Sequence, residues 1–239
     1  MLTVVTWLWR RPDGPGFDAR YVNRLRSMLE RHLRLDHELA CVTDEPEGLH
    51  PDVRVVAPPK EYAATPRCRR RMWQWSADRA RDFGSRMLAI DLDVVIVRDL
   101  TPIVDRPEPL VAWRVGYAGV FSGSFILADV GALDGAWAAF RDDPTGFPAR
   151  TGEKHASDQA MLNYWIRHGR GPRAKPIAQW TEADGFVTWF GAGYEKLEHR
   201  GMGPGHPDLP ADARIVVMGS ADKAVLDEGR YPWVRVHWR

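Results

Sequence analysis

Residues 87–97, MLAIDLDVVIV, form an apolar run of eleven positions interrupted by two carboxylates, Asp91 and Asp93. No other stretch constrains the fold as tightly. MLAI reads as a core strand, and VVIV continues the apolar pattern beyond the break. The triplet Asp91-Leu92-Asp93 therefore belongs at the end of a central strand, where the chain leaves the core. In open α/β sheets ligands bind at the carboxyl ends of the strands. Residues i and i+2 of an extended segment face the same side. Two carboxylates about 4 Å apart repel by roughly 4 kcal/mol at an effective dielectric of 20. A divalent cation would remove that cost and bring in a phosphate oxygen as a further ligand. The competing reading is that both aspartates cap a turn at the strand end.

The chain before this point alternates strands and helices. Residues 3–9 (TVVTWLW) read as a buried strand, followed by the turn-rich RRPDGPGFD. Asp18 caps a helix with Val22, Leu25, Met28, Leu29 and Leu33 at helical spacing. Strands follow at 38–43 and 53–57, then an Arg-rich helix over 68–82 with Met72, Trp75 and Ala80 inward. This order predicts an α/β fold with a mostly parallel central sheet. Beyond 100 the pattern loosens. Strands are expected at 110–113, 124–128, 186–190 and 214–218, and helices at 131–141 and 157–168. With no repeat and no linker, residues 1–239 read as one domain. Residues 1–100 form a nucleotide-type half, and 101–239 a loop-rich half that shapes a pocket.

Composition narrows the function. With 33 Lys+Arg against 32 Asp+Glu, the chain is not a globally basic nucleic-acid binder. Cys41 and Cys68 cannot build a disulfide framework or a cysteine zinc site. No apolar stretch approaches the roughly 18 residues of a membrane span. The N-terminus carries its charge after a short apolar run, the reverse of a signal peptide, so a cytoplasmic protein is expected. The 28 Arg against 5 Lys reflect coding bias or phosphate-binding forks. The 11 Trp need burial plus one hydrogen bond each, or a flat ligand to stack on. Trp75, Trp113 and Trp165 fit core positions. Trp7, Trp9, Trp180, Trp189, Trp233 and Trp238 fall near strand ends and loops, where a ligand cleft is expected.

RMLAIDLDVVIVRDLTPIV is similar to the D-x-D segment of bacterial glycosyltransferases of the GT-A fold, and is nearest to glycosyltransferase family 8, the glycogenin-like retaining enzymes. The resemblance runs in order through most of the chain. RYVNRLRSMLERHL resembles the first helix after the donor-binding strand, and ACVTDEP the second strand with its Thr-Asp turn. Arg71-Met72 with Trp75-Ser76 resembles the family's Lys-Leu…Trp-Ser helix. FSGSFILA (121–128) resembles the acceptor-side F-N-S-G strand, and Ser157-Asp158-Gln159 the Asp-Gln helix start. Residues 216–223 stand where the family has His-Gly…Lys-Pro-Trp.

The resemblance implies a GT-A domain that moves a sugar from a nucleotide-diphospho-sugar, a UDP-sugar first, to a glycan, lipid or protein acceptor. It implies Mn²⁺ or Mg²⁺ held by Asp91 and Asp93, with a second role for Asp91 at the ribose. Donor contacts are implied for Thr6, Trp7, Tyr21, Asp44, Arg71 and Lys223, and acceptor-side positions for Ser122 and Gly123. Asp158 and Gln159 would stand beside the anomeric carbon; the alternative is that Ser157 or Asp158 only caps its helix. Three positions depart from the pattern. Met218 replaces the third metal ligand, a His. Lys223-Ala224-Val225 replaces Lys-Pro-Trp, and Ser122 replaces Asn. His237 is a candidate substitute ligand and His155 a candidate acceptor contact. Two other readings stay open: a degenerate transferase that binds without turnover, and a haloacid-dehalogenase-like phosphatase. In the latter Asp91 is the nucleophile, Asp93 the acid–base and Asp142-Asp143 the late acidic pair.

Overall fold

A computed structural model describes residues 1–9, 16–63, 65–115, 119–153, 156–169, 177–190, 201–204, 207–218 and 223–239 of the chain. The elements run β1 (Leu2–Trp7), α1 (Ala19–His32), β2 (His37–Val42), β3 (Arg54–Val56) and α2 (Lys60–Ala63). Two 3₁₀ segments follow, Arg67–Trp75 and Ala77–Arg79, then α3 (Ala80–Phe83), β4 (Arg86–Ile90), β5 (Val94–Ile96) and α4 (Thr101–Val104). The second half holds β6 (Leu110–Val115), β7 (Val120–Asp129), α5 (Asp134–Asp142), α6 (Gly146–Arg150), α7 (Asp158–His168) and β8 (Ala178–Trp180). It ends with a 3₁₀ turn at Glu182–Asp184, β9 (Phe186–Trp189), β10 (Gly201–Met202), β11 (Ile215–Met218), α8 (Lys223–Asp227) and α9 (Pro232–His237).

The fold is α/β, as expected. Seven strands in the order β3-β2-β1-β4-β7-β6-β8 form the main sheet. β1 to β4 are mutually parallel where they pair, and β7 alone runs against its neighbours β4 and β6. Alternate residues of the buried strands feed two cores. Val4, Cys41, Leu88 and Ile90 face one, while Val5, Ala40, Val42, Met87 and Ala89 face the other. α1 closes the first core with the stripe expected from its spacing: Val22, Leu25, Met28 and Leu29 are buried, with Leu33 just beyond. Asp18 caps it by accepting from the Arg20 amide at 2.9 Å.

The apolar run that continues past Asp93 does not extend β4. Val94–Ile96 leaves the main sheet and pairs antiparallel with β11 in a second, four-stranded sheet of order β10-β9-β11-β5. Asp91-Leu92-Asp93 is the crossing between the two sheets, and Leu92 is buried in it.

The Arg-rich segment also differs from expectation. Residues 67–75 wind as a 3₁₀ helix, not an α-helix, and the α-helical part is confined to α3. Met72, Trp73, Gln74 and Trp75 are all buried, which one stripe of a 3.6-residue helix does not provide. A three-residue repeat eclipses i and i+3, so Cys68, Arg71 and Gln74 stack in one column. The indoles expected near a cleft are mostly core. Trp7, Trp180, Trp189, Trp233 and Trp238 are buried, and of that group only Trp9 is half-exposed. An indole offers more apolar area than almost any side chain, and these folds spend it on packing rather than on solvent contact.

Candidate active site

The carboxyl ends of β1, β2 and β4 meet at one edge of the main sheet. Because β7 runs the other way, its N-terminal half lies at that same edge: Phe125 pairs with Ile90, so Ser122, Gly123 and Ser124 flank Asp91. The Asp91 amide donates to the Ser124 carbonyl at 3.0 Å, and the Ser124 hydroxyl donates to Asp91 Oδ2 at 2.8 Å.

Arg71 is the hub. One arm of its guanidinium pairs with Asp91 Oδ1, and Nη2 reaches Asp158 Oδ2 at 2.8 Å. The Arg71 side chain is 13% exposed, Asp91 21% and Asp158 3%. Burial works against the Arg71 charge, but Asp158, followed by Cys68 and Asp93, together outweigh it and hold the guanidinium's pKa above its ordinary value. Two polar atoms at this hub, Arg71 Nε and Asp158 Oδ1, are buried without a hydrogen-bond partner among the described residues. Such atoms carry a desolvation cost unless a ligand or water meets them.

α7 supplies the opposite wall. Ser157 caps it by accepting from the Ala160 amide at 3.1 Å. Asp158 therefore occupies the first turn, where the helix dipole favours a carboxylate. Gln159 Oε1 accepts from the Gly123 amide at 2.8 Å. Asn163, one turn on, accepts from the Phe121 amide at 2.8 Å and donates to the Phe121 carbonyl at 2.7 Å. These bonds fix α7 against β7. A Cβ on Gly123 would stand 3.2 Å from Gln159 Cβ and 3.6 Å from Arg71 Nη2, so a larger residue here would make α7 give way by a few tenths of an ångström.

The structure thus brings Arg71, Asp91, Asp158, Gln159, Ser122 and Gly123 into one cluster. Asp93 stands two residues from Asp91 on the crossing, and its carbonyl accepts from the Met218 amide at 3.2 Å. Met218, at the end of β11, is therefore a direct neighbour of the D-x-D, where the resemblance puts the family's His. Asp44 is exposed after β2 at the same sheet edge, beyond Thr43, whose hydroxyl accepts from the Glu45 amide at 2.9 Å.

Other candidates are spent elsewhere. Trp7 is 5% exposed, and its Nε1 donates to Gln74 Oε1 at 2.9 Å. Its ring meets Trp73 edge-on, with centroids 6.0 Å apart, so it packs core between β1 and the 3₁₀ column. The Thr6 hydroxyl is buried with no partner among the described residues. Tyr21 is buried at the start of α1 and donates to Asp227 Oδ1 at 2.7 Å. Burial first, then that bond and the Asp227 charge, push its phenol far above the usual range. The same bond ties α8 to α1. Lys223 opens α8, and its side chain, like all of His155, lies outside the described residues. His237 ends α9. Its ring lies 6.3 Å from His32, at the far end of α1, about 16 Å along the helix from Tyr21.

Sequence reasoning missed Gln74, Ser124 and Asn163. Asn163 carried a readable signal, since it lies four residues after Gln159 on the same helical face.

A divalent cation of the Mg²⁺ or Mn²⁺ type needs oxygen ligands. Both Asp91 oxygens are committed, to Arg71 and Ser124, and the Met218 thioether is a poor partner for a hard ion. The described residues contain no group of three or more His, Cys, Asp and Glu able to hold a metal. The donor set does not fit a cation caged by protein. Mg²⁺ is usually held by one or two carboxylates plus substrate phosphates rather than by protein alone.

No helix of the described residues is long and apolar enough to cross a membrane. No protein-family model matches the chain, and no curated protein matches it significantly.

Proposed function

We propose that the chain is a GT-A-type glycosyltransferase, resembling family 8, that takes a sugar from a nucleoside-diphosphate sugar, with UDP as the nucleotide. The observation that carries this reading is the Arg71 bridge. One guanidinium joins the first D-x-D carboxylate to the Asp of the Asp-Gln helix start, at the carboxyl ends of parallel strands. Three segments far apart in sequence, each with a counterpart in the resemblance, converge on one point.

The chemistry follows from the groups present. The acceptor hydroxyl oxygen bonds to the anomeric carbon. The bond from that carbon to the diphosphate oxygen breaks, and its electron pair leaves on the nucleoside diphosphate. The acceptor proton goes to the departing phosphate. Arg71, on exchanging its pairs with Asp91 and Asp158 for phosphate oxygens, would bind them and stabilise the charge growing there. Asp158, at 3% exposure, offers a carboxylate to the positive charge at the anomeric carbon. Asp93 would hold Mn²⁺ or Mg²⁺, which when bound supplies Lewis-acid neutralisation of the leaving diphosphate.

The phosphatase alternative is less well supported. It needs Asp91 as a free nucleophile, but both its oxygens are engaged. Asp143 of the supposed acidic pair serves the Gly146 amide and Arg150 instead. Calorimetric titration tests the proposal. UDP should bind with Mn²⁺ present, and Asp93→Ala should weaken binding by at least about tenfold, roughly 1.4 kcal/mol. UDP binding that is absent, or indifferent to both Mn²⁺ and Asp93, refutes it. Turnover of a UDP-sugar by hydrolysis separates an enzyme from a binding-only protein.

A further inference from the structure

We propose that a cavity on the outer flank of α7 is a subsite for an anionic sugar, a hexose carrying a phosphate or a carboxylate, as acceptor. The proposal rests on the transferase reading and names the substrate class that reading leaves open.

The cavity encloses about 260 Å³, just under the roughly 300–1,000 Å³ of small-molecule clefts and suited to a single sugar ring. Gln159, the residue next to Asp158 on α7, is among the residues that line it. Gln159 spends its carbonyl oxygen on the Gly123 amide. Its NH₂ group has no partner among the described residues and is left to donate to an acceptor oxygen.

One wall carries the rings of Tyr164 and His168, tilted 46° to each other. Tyr164 and His168, one helical turn apart, have ring centroids 4.8 Å apart, and Phe147 backs Tyr164 at 5.9 Å. The half-buried Tyr164 ring suits the C–H face of a pyranose, because it presents an apolar body and a polar tip.

The outer end is cationic. Among the described residues, Arg150 and Arg167 line it against one carboxylate, Glu153. Arg167 makes no ion pair among the described residues. Arg150 pairs with Asp143 at 2.8 Å, but both side chains are nearly half exposed, at 47% and 45%. An exposed pair of this kind is worth little, so exchanging Asp143 for a ligand anion costs little. Arg167 lies eight residues after Gln159, about 12 Å along the axis, and helical side chains lean back toward the N-terminus. A hexose with one charged substituent spans the remaining gap. Its hydroxyl end meets Gln159 and its anion meets the guanidinium, which matches phosphate and carboxylate geometry.

The test is direct binding to the intact chain by calorimetry, with glucose 6-phosphate, glucuronate and glucose as probes. Both anionic sugars should bind at least about tenfold more tightly than glucose. Arg167→Glu should abolish that preference and Arg167→Lys should keep part of it. Both variants should melt like the parent chain, because Arg167 is exposed. The proposal is overturned if none of the three binds, if glucose binds as well as the anions, or if Arg167→Glu leaves the preference intact. Inorganic phosphate competing as strongly as glucose 6-phosphate would overturn the sugar part. A parallel UDP titration keeps the two readings apart. Anionic-sugar preference without UDP binding upholds the pocket and removes the donor site, and the reverse pattern does the opposite.

Discussion

Removing the Arg71 side chain is the sharpest perturbation the structure offers. Arg71→Ala leaves two carboxylates facing a void, and one of them, Asp158, has a side chain only 3% exposed. Breaking a buried pair from one side costs about 3–5 kcal/mol, because the surviving charge is stranded. Asp91, at 21% exposure, recovers some hydration, so the lower half of that range is expected. For a chain of this size 1 kcal/mol moves the midpoint by about 2–4 °C, so the melt should fall by roughly 6–16 °C. The control removes the stranded charge as well. Arg71→Ala with Asp158→Asn should lose less stability than the two single losses added together, by more than about 0.5 kcal/mol. Differential scanning calorimetry at pH 7 measures all three variants. A single variant within about 1 kcal/mol of the parent, or strictly additive losses, would refute the claim that Arg71 neutralises a buried cluster.

Three further outcomes follow from neighbouring contacts. Gln74→Met keeps the volume but strands the buried Trp7 Nε1–H, now bonded at 2.9 Å, and should cost about 1–3 kcal/mol in urea unfolding. Gly123→Ala forces a Cβ to 3.2 Å from that of Gln159. It should cost about 1 kcal/mol in the same assay and speed amide exchange at the start of α7. His32 and His237 are held below their ordinary value of 6.5, first by burial and then by surrounding charge: Arg31 for both, with Arg98 and Arg239 at His237, and Asp99 opposing at His32. A folded pKa below the unfolded one means the unfolded chain takes up protons first as pH falls. This stabilisation is therefore complete above about pH 6.5 and lost on acidification toward the folded values. The melting midpoint should drop between pH 7.5 and 5, and His32→Asn with His237→Asn should flatten that slope.

Much of the first hundred residues was readable because they obey a simple period. α1 shows its stripe and its cap in sequence, and β1, β2 and β4 are short apolar runs bounded by polar residues. Asp158 and Gln159 were legible through Ser157, a cap placed just before a helical pattern. Residues 67–75 were not. Four consecutive buried residues with arginines among their neighbours fit no 3.6-residue stripe, and only the packing against Trp7 and α7 selects the tighter winding. The tryptophans were misplaced for a related reason. Composition shows that indoles are plentiful but not which side of a strand end they face. Nor could the apolar run after Asp93 reveal that it changes sheets, since a strand's affinity for a partner is set by distant residues, here Ile215 to Val217.

That change of sheet has a mechanical consequence. Asp91 is fastened to the main sheet through Ser124, and the backbone of Asp93 to the small sheet through Met218. The small sheet is built from strands of two to four residues, whose few backbone bonds open more readily than the long central ladders. The spacing between the two carboxylates is therefore only as durable as the weaker sheet. On warming, ligand binding should fade several degrees before the main sheet melts. Protection of the Val94–Ile96 amides from solvent exchange would then track function more closely than any global unfolding signal.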